Sequence, residues 1–198
     1  LRDGTTRLKK DGKIIHHHSG VAGFAEYAVL PKEALVKIDN HIPFEHAALF
    51  GCGVVTGVGA VINTAEASEE DSVAIVGLGG VGLSALLASI AIGSKKTIAI
   101  DLSDEKLALA RELGADHTLN PKDENFLETF IDITSGGANI AVETAGSGHA
   151  LKTAYDITRR GGTTVAAGMP GPKVEITLSH LSIAAEERVI KGSYMGSC

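Results

Sequence analysis

The sequence predicts an α/β fold, a doubly wound parallel sheet with a short β-rich segment ahead of it. Three observations carry that reading. A short apolar run, Val73-Ala74-Ile75-Val76, leads through Gly77-Leu78-Gly79-Gly80-Val81-Gly82 into a helical pattern. A second β-branched run closes on Asp101, about 20 residues beyond the glycines. From there to Tyr194, short apolar runs alternate with helical patterns, the rhythm of a parallel sheet with helical crossovers.

The glycines have separate physical jobs. Gly77 lets the chain turn off the strand, Gly79 offers no Cβ to block a pyrophosphate, and Gly82 lets the helix pack close. Gly80 and Val81 then open the helix, whose free N–H groups and positive dipole end favour an anion. Asp101 can accept hydrogen bonds from a ribose 2′-OH and would repel a 2′-phosphate, so the expected cofactor is NAD rather than NADP. The competing reading is a membrane span, because Ser72 to Ser94 carries no charge and is long enough. Four glycines between Gly77 and Gly82 disfavour a spanning helix, and a buried strand, a turn and a helix account for the same residues.

Taken in order, Leu1 to Gly20 is polar, with a turn expected at Asp11-Gly12 before Lys13-Ile14-Ile15. The run His16-His17-His18 invites a metal or tag reading. Adjacent side chains on an extended strand point to opposite faces and cannot all converge on one ion, so no metal role is expected there. Phe24 to Leu30 and Ala34 to Ile38 read as strands on either side of a turn at Pro31. Pro43 to Phe50 has helix character, and the glycine-rich stretch Gly51 to Val61 leads into another helix. Taken by itself, Cys52 within that stretch reads as a small buried apolar residue.

Beyond Asp101, Ser103 is the expected N-cap of a helix that Gly114 stops, with Asp104 and Glu105 in its first turn. His117 to Leu119 is a strand, and Asn125 to Thr134 a helix ended by Gly136-Gly137. Ile140 to Thr144, Thr163 to Ala167 and Arg188 to Tyr194 supply further strands, with a helix from Ala150 to Thr158 between the first two. Six strands with the glycine fingerprint after the first make a Rossmann sheet.

Composition narrows the classes. The 198 residues carry a net charge of −6, with no basic stretch to attract nucleic acid. Two cysteines, Cys52 and Cys198, offer no disulfide framework, and the chain opens on charged sequence without a signal-peptide pattern, so a cytoplasmic protein is expected. Neither a membrane nor a nucleic acid is an expected partner. The first residue is Leu1 rather than Met, so the chain reads as a fragment or a processed product.

Phe24-Ala25-Glu26-Tyr27, then Gly51-Cys52-Gly53-Val54-Val55-Thr56-Gly57-Val58-Gly59-Ala60-Val61, then Gly77 to Gly82 and Asp101, in this order and spacing, closely resemble the zinc-dependent alcohol dehydrogenases of the medium-chain dehydrogenase/reductase family. The resemblance runs along the whole chain, including Glu186-Glu187-Arg188 to Gly192-Ser193-Tyr194. It implies that Cys52 ligates the catalytic zinc together with an earlier cysteine and a histidine. It implies that Thr56 and Val81 lie against the nicotinamide, that Lys106 reaches the adenosine ribose, and that Thr144, Ala167 and Met195 line the rest of the cofactor cleft. Residues 1–50 would then be the tail of a GroES-like catalytic domain and 51–198 the NAD-binding domain, cut at both ends.

The expected function is NAD-dependent oxidation of a primary or secondary alcohol by a zinc-containing homo-oligomer. Glutathione-linked formaldehyde oxidation is the alternative chemistry. An NAD-binding fragment without activity of its own is the alternative class, and a zinc-free quinone or enoyl reductase is opposed by Cys52 and Asp101.

Overall fold

The structure is a computed structural model and describes residues 5–17, 21 and 23–198. The chain divides into two compact units, Leu1–Ala47 and Ala48–Cys198.

In the first unit, β1 (Leu8–Lys10) pairs antiparallel with β2 (Lys13–Ile15), Leu8 opposite Ile15. The turn between them is the one the sequence marks. Asp11 at φ 51° and Gly12 at φ 78° give the two successive left-handed residues of a primed hairpin turn, whose twist suits flanking strands. His16 and His17 follow β2, and His18 lies outside the described residues.

The strands expected at 24–30 and 34–38 do not form. Bends run through 24–27, and a single 3₁₀ turn, Lys32–Ala34, precedes extended backbone. Phe24, Tyr27, Val29 and Val36 are all at least 85% exposed. Alternation alone does not make a strand. The ladder needs a neighbour to take its N–H and C=O groups, and none pairs with this segment among the described residues.

A short helix, α1 (Phe44–Leu49), follows Pro43, whose fixed φ and missing N–H suit a helix start. The glycine-rich stretch does not merely lead into a helix; it is helical itself. A π-helical segment Phe50–Val54 precedes α2 (Val55–Gly59), and a second, Ala60–Thr64, follows it. By length and composition alone, Phe44–Thr64 could cross a membrane. Its glycines are used otherwise. A Cβ on Gly57 would lie 2.1 Å from the Val81 carbonyl oxygen, and one on Gly59 would lie 2.2 Å from that of Gly196, the close approach of a packed core helix.

The second unit is built on a six-stranded, all-parallel sheet. In chain order come β3 (Ser72–Val76), α3 (Gly80–Ala91), β4 (Lys96–Ile100), α4 (Asp104–Glu112), β5 (His117–Leu119), α5 (Phe126–Thr134), β6 (Ala138–Glu143), α6 (Gly148–Ile157), β7 (Thr158–Ala166), α7 (His180–Ala185) and β8 (Val189–Gly192). The spatial order is β5-β4-β3-β6-β7-β8, with β3 flanked by β4 and β6. That is the doubly wound order, and its switch point lies between β3 and β6. The stretch Ser72 to Ser94, which could have been read as a span, is β3, a turn and α3.

Both faces of the sheet are covered. On β3, Val73 and Ile75 enter one core cluster with Leu86 and Leu107, while Ala74 and Val76 enter the other with Phe126, Phe130 and Ile157. This is why the strands read as unbroken apolar runs. Ser103 caps α4 as expected, accepting the Lys106 N–H, and Ser135 at φ 56° ends α5 ahead of Gly136. One boundary differs more than the rest. β7 begins at Thr158, directly after α6, rather than at Thr163, and a pairing irregularity opposite Ala138 and Ile140 absorbs Arg159 to Gly162.

The turn after β8 returns to the first helices of this unit. Asn63 Nδ2 donates to the Gly196 carbonyl at 2.9 Å, and the Thr64 hydroxyl bonds those of Ser193 at 2.8 Å and Ser197 at 2.9 Å.

Candidate cofactor site

The carboxyl ends of β3, β4, β6 and β7 meet at the switch point. Gly77 turns off β3 at φ +96°, a conformation that favours glycine, and its N–H donates to the Ile100 carbonyl at 2.8 Å. Across the crevice, the Thr144 N–H donates to the Val76 carbonyl at 2.9 Å and its hydroxyl to the Gly77 carbonyl at 2.7 Å. Gly82 sits against this turn so closely that a Cβ would lie 1.8 Å from the Gly77 oxygen. Gly79 and Gly80 are the opposite case, because nothing lies within 4 Å of a Cβ on either. Gly79 at the N-cap of α3 brings no side-chain acceptor to its first N–H groups, the kind of helix start that favours an anion.

Asp101 follows β4, and its side chain is 10% exposed. Its Oδ2 accepts the Leu78 N–H at 2.7 Å and its Oδ1 the Ser103 N–H at 2.9 Å. Lys106 Nζ stands 3.6 Å from Oδ2. A carboxylate has about four acceptor positions, so two backbone bonds leave it able to accept from a ligand.

Two cavities open along this edge. One, of about 520 Å³, is lined by Gly77, Asp101 and Lys106 on one side and by Ala145, Ser147 and His149 on the other. The second, of about 450 Å³, brings together Cys52, Thr56, Val81, Thr144, Ala167 and Met195. The sequence positions singled out for the cleft therefore converge in the second unit, from segments up to the whole length of that unit apart. Met195 holds φ 52°, a left-handed backbone uncommon for its residue type, and adjoins Gly196 at φ 73°.

Cys52 is exposed, in the π-helical segment, so the reading of a buried apolar residue is corrected. It sits between Gly51 and Gly53 in that segment, and π segments are frequent at functional sites. Among the described residues no group of three His, Cys, Asp or Glu side chains comes together, whereas a catalytic zinc site takes three protein ligands. The described residues alone do not fit zinc.

A family model described as zinc-binding dehydrogenase matches residues 80–197, more than half of the chain. This chain belongs to that family. Among its curated relatives is an S-(hydroxymethyl)glutathione dehydrogenase of Escherichia coli (strain SMS-3-5 / SECEC), 36% identical, the match covering 99% of this chain and 54% of the relative. One of the same description from Synechocystis sp. (strain ATCC 27184 / PCC 6803 / Kazusa) is 36% identical over 89% of this chain and 49% of its own. Benzyl alcohol dehydrogenase from Acinetobacter calcoaceticus superposes with a TM-score of 0.84 at 34% identity, over 89% of this chain and 49% of that one. The chain thus spans about half the length of these relatives.

Sequence reasoning missed several residues that line these two cavities. Ser147 and His149, at the start of α6, wall the first cavity, and Gly168 and Ser193 line the second. They sit just past strand ends, and that position was their only signal. Glu143 was also passed over, although an acid closing the apolar run Ile140-Ala141-Val142 breaks the pattern of a buried strand.

Proposed function

We propose that this chain is the NAD-binding part of a zinc-dependent alcohol dehydrogenase, one that moves hydride between an alcohol and the nicotinamide. The observation that carries the reading is Asp101, a nearly buried carboxylate that is bonded to the glycine turn at Leu78 and borders the first cavity. A dinucleotide lies with its adenosine in that cavity, where Asp101 and Lys106 take the ribose hydroxyls. Its pyrophosphate rests on Gly79, Gly80 and the start of α3, with Leu78 and Gly77 shaping the turn and Gly82 letting the helix approach. The nicotinamide enters the second cavity, between Val81 and Thr56 on one side and Thr144, Ala167 and Met195 on the other. Thr56 and Cys52 then border the reacting face, and Cys52 is one zinc ligand among several.

Residues 1–50 belong to the catalytic domain in this reading, and 51–198 to the cofactor domain. The alcohol is primary or secondary. The relatives named S-(hydroxymethyl)glutathione dehydrogenases favour the glutathione-linked variant as the second reading. Among the described residues no strand pairs with the outer edge of β8, which supports a homo-oligomer. Two unpaired cysteines suit a cytoplasmic protein.

Calorimetric titration of the chain with NAD and NADP tests the proposal. Saturable NAD binding that is tighter than NADP binding is expected. Equal affinities, or tighter NADP binding, would overturn the cofactor assignment.

A further inference from the structure

Glu143 is the charged residue that the core of the second unit buries, 2% exposed among otherwise apolar and small polar side chains. It ends β6, paired with Val76 of β3 and Ala166 of β7, directly beneath the switch point. No ion pair to it is found among the described residues. Backbone N–H groups surround it instead. Oε1 accepts from Gly146 at 2.6 Å, and the amides of Ser147, Ala145 and Gly168 also favour its ionised form. Its main-chain carbonyl accepts from Ala167 and Gly168, each at 2.9 Å.

These bonds run to two loops. The turn after β6 walls the first cavity through Ala145 and Ser147, and the turn after β7 walls the second through Ala167, Gly168 and Met169. The loops touch above the carboxylate. A Cβ on Gly168 would lie 2.3 Å from the Gly146 nitrogen and 2.7 Å from Glu143 Oε2. Leaving a desolvated carboxylate without a cation is costly, and a leucine or methionine would fill the same volume at no such cost. An acceptor-only group with several lone pairs is what converging N–H donors require.

We infer that Glu143 is a positioning residue that fixes the two loops walling the cofactor cleft, gathering the 145–147 turn with its carboxylate and the 167–168 turn with its carbonyl. The inference rests on the cofactor reading above. Glu143 touches neither cavity and acts through the loops.

The test uses the full 198-residue chain with Glu143→Gln, which places an amide N–H against backbone donors, and Gly168→Ala, which pushes the same contact apart while keeping the carboxylate. NADH affinity is read by fluorescence, and backbone amide exchange by NMR. Both variants are expected to bind NADH about tenfold more weakly. Exchange should quicken at Gly146, Ser147 and Gly168 while Val73 to Val76 and Ile98 to Ile100 stay protected as in the parent. Uniformly faster exchange would reduce Glu143 to a general stability role and overturn the proposal. So would faster local exchange with unchanged NADH affinity. A parent chain that bound no NADH would overturn the cofactor reading itself, and the exchange data would still show whether the carboxylate anchors the loops.

Discussion

The backbone N–H of Leu78 donates to Asp101 Oδ2 at 2.7 Å, tying the glycine turn to the end of β4. Asp101 therefore shapes the turn as well as facing the cavity proposed for the ribose, and the two jobs can be separated. Asp101→Asn can keep an acceptor for Leu78 while removing the charge that repels a 2′-phosphate. Asp101→Ser removes both. We expect the preference for NAD over NADP to shrink by about tenfold or more in Asp101→Asn, since a charged hydrogen bond contributes about 1.5–3 kcal/mol. In Asp101→Ser, NAD binding itself should also weaken. Titration with both cofactors decides it, and an unchanged ratio in Asp101→Asn would remove the carboxylate from cofactor selection.

Gly79 and Gly82 differ by one helical turn and should respond in opposite ways. A Cβ at Gly79 has nothing within 4 Å, so Gly79→Val should keep its melting temperature and lose NAD binding. Gly82→Ala drives a methyl into the Gly77 carbonyl and should destabilise by about 1–3 kcal/mol before any ligand is added. Thermal melts with and without NAD separate the two. A Gly79→Val variant that bound as the parent does would place the pyrophosphate elsewhere.

The contrast shows what the residues alone could disclose. The glycine spacing, Asp101 and the Ser103 cap are local signals, and the structure places the turn, the strand end and the helix start where those signals put them. The stretch from Phe24 to Ile38 failed because a strand is a property of two segments, and apolar alternation in one says nothing about a partner. Cys52 failed as a buried apolar residue because burial depends on what packs across from it. Glu143 was legible only as a break in a pattern, since four backbone donors from two later loops cannot be counted along the chain.

Glu143 also gives a pH prediction. Burial pushes its carboxyl above the usual 4.5, against the backbone donors that pull it down. The folded chain then holds this proton more tightly than the unfolded chain. The associated stability is fully present below about pH 4.5 and is lost as pH rises through the folded value. The melting temperature of the parent minus that of Glu143→Gln should be largest in acid and fall as pH rises. A difference that stayed flat from about pH 4 to about pH 8 would mean no shift.

The 198-residue chain by itself should hold no zinc after dialysis and form no NADH from short alcohols, because Cys52 is one donor where three are needed. Metal analysis with a turnover assay checks this. Stoichiometric zinc with turnover would mean that other residues, or a second copy, complete the site.

The hydroxyl contact between Thr64 and Ser193 joins segments 129 positions apart. The bare groove at Gly59 and the unpaired Thr64 hydroxyl leave the ribosome long before residues 193–197 exist to cover them. At about 5–20 residues per second that wait is on the order of ten seconds. In its later part, once β6 has followed β3 and β4 out, these strands can already pair, so the nascent unit passes through a state with its sheet begun and its α2 face open. Chaperone crosslinking to Thr64→Cys, whose thiol is no larger than the side chain it replaces, on nascent chains halted before and after Ser193 emerges, should follow that interval and stop when it ends.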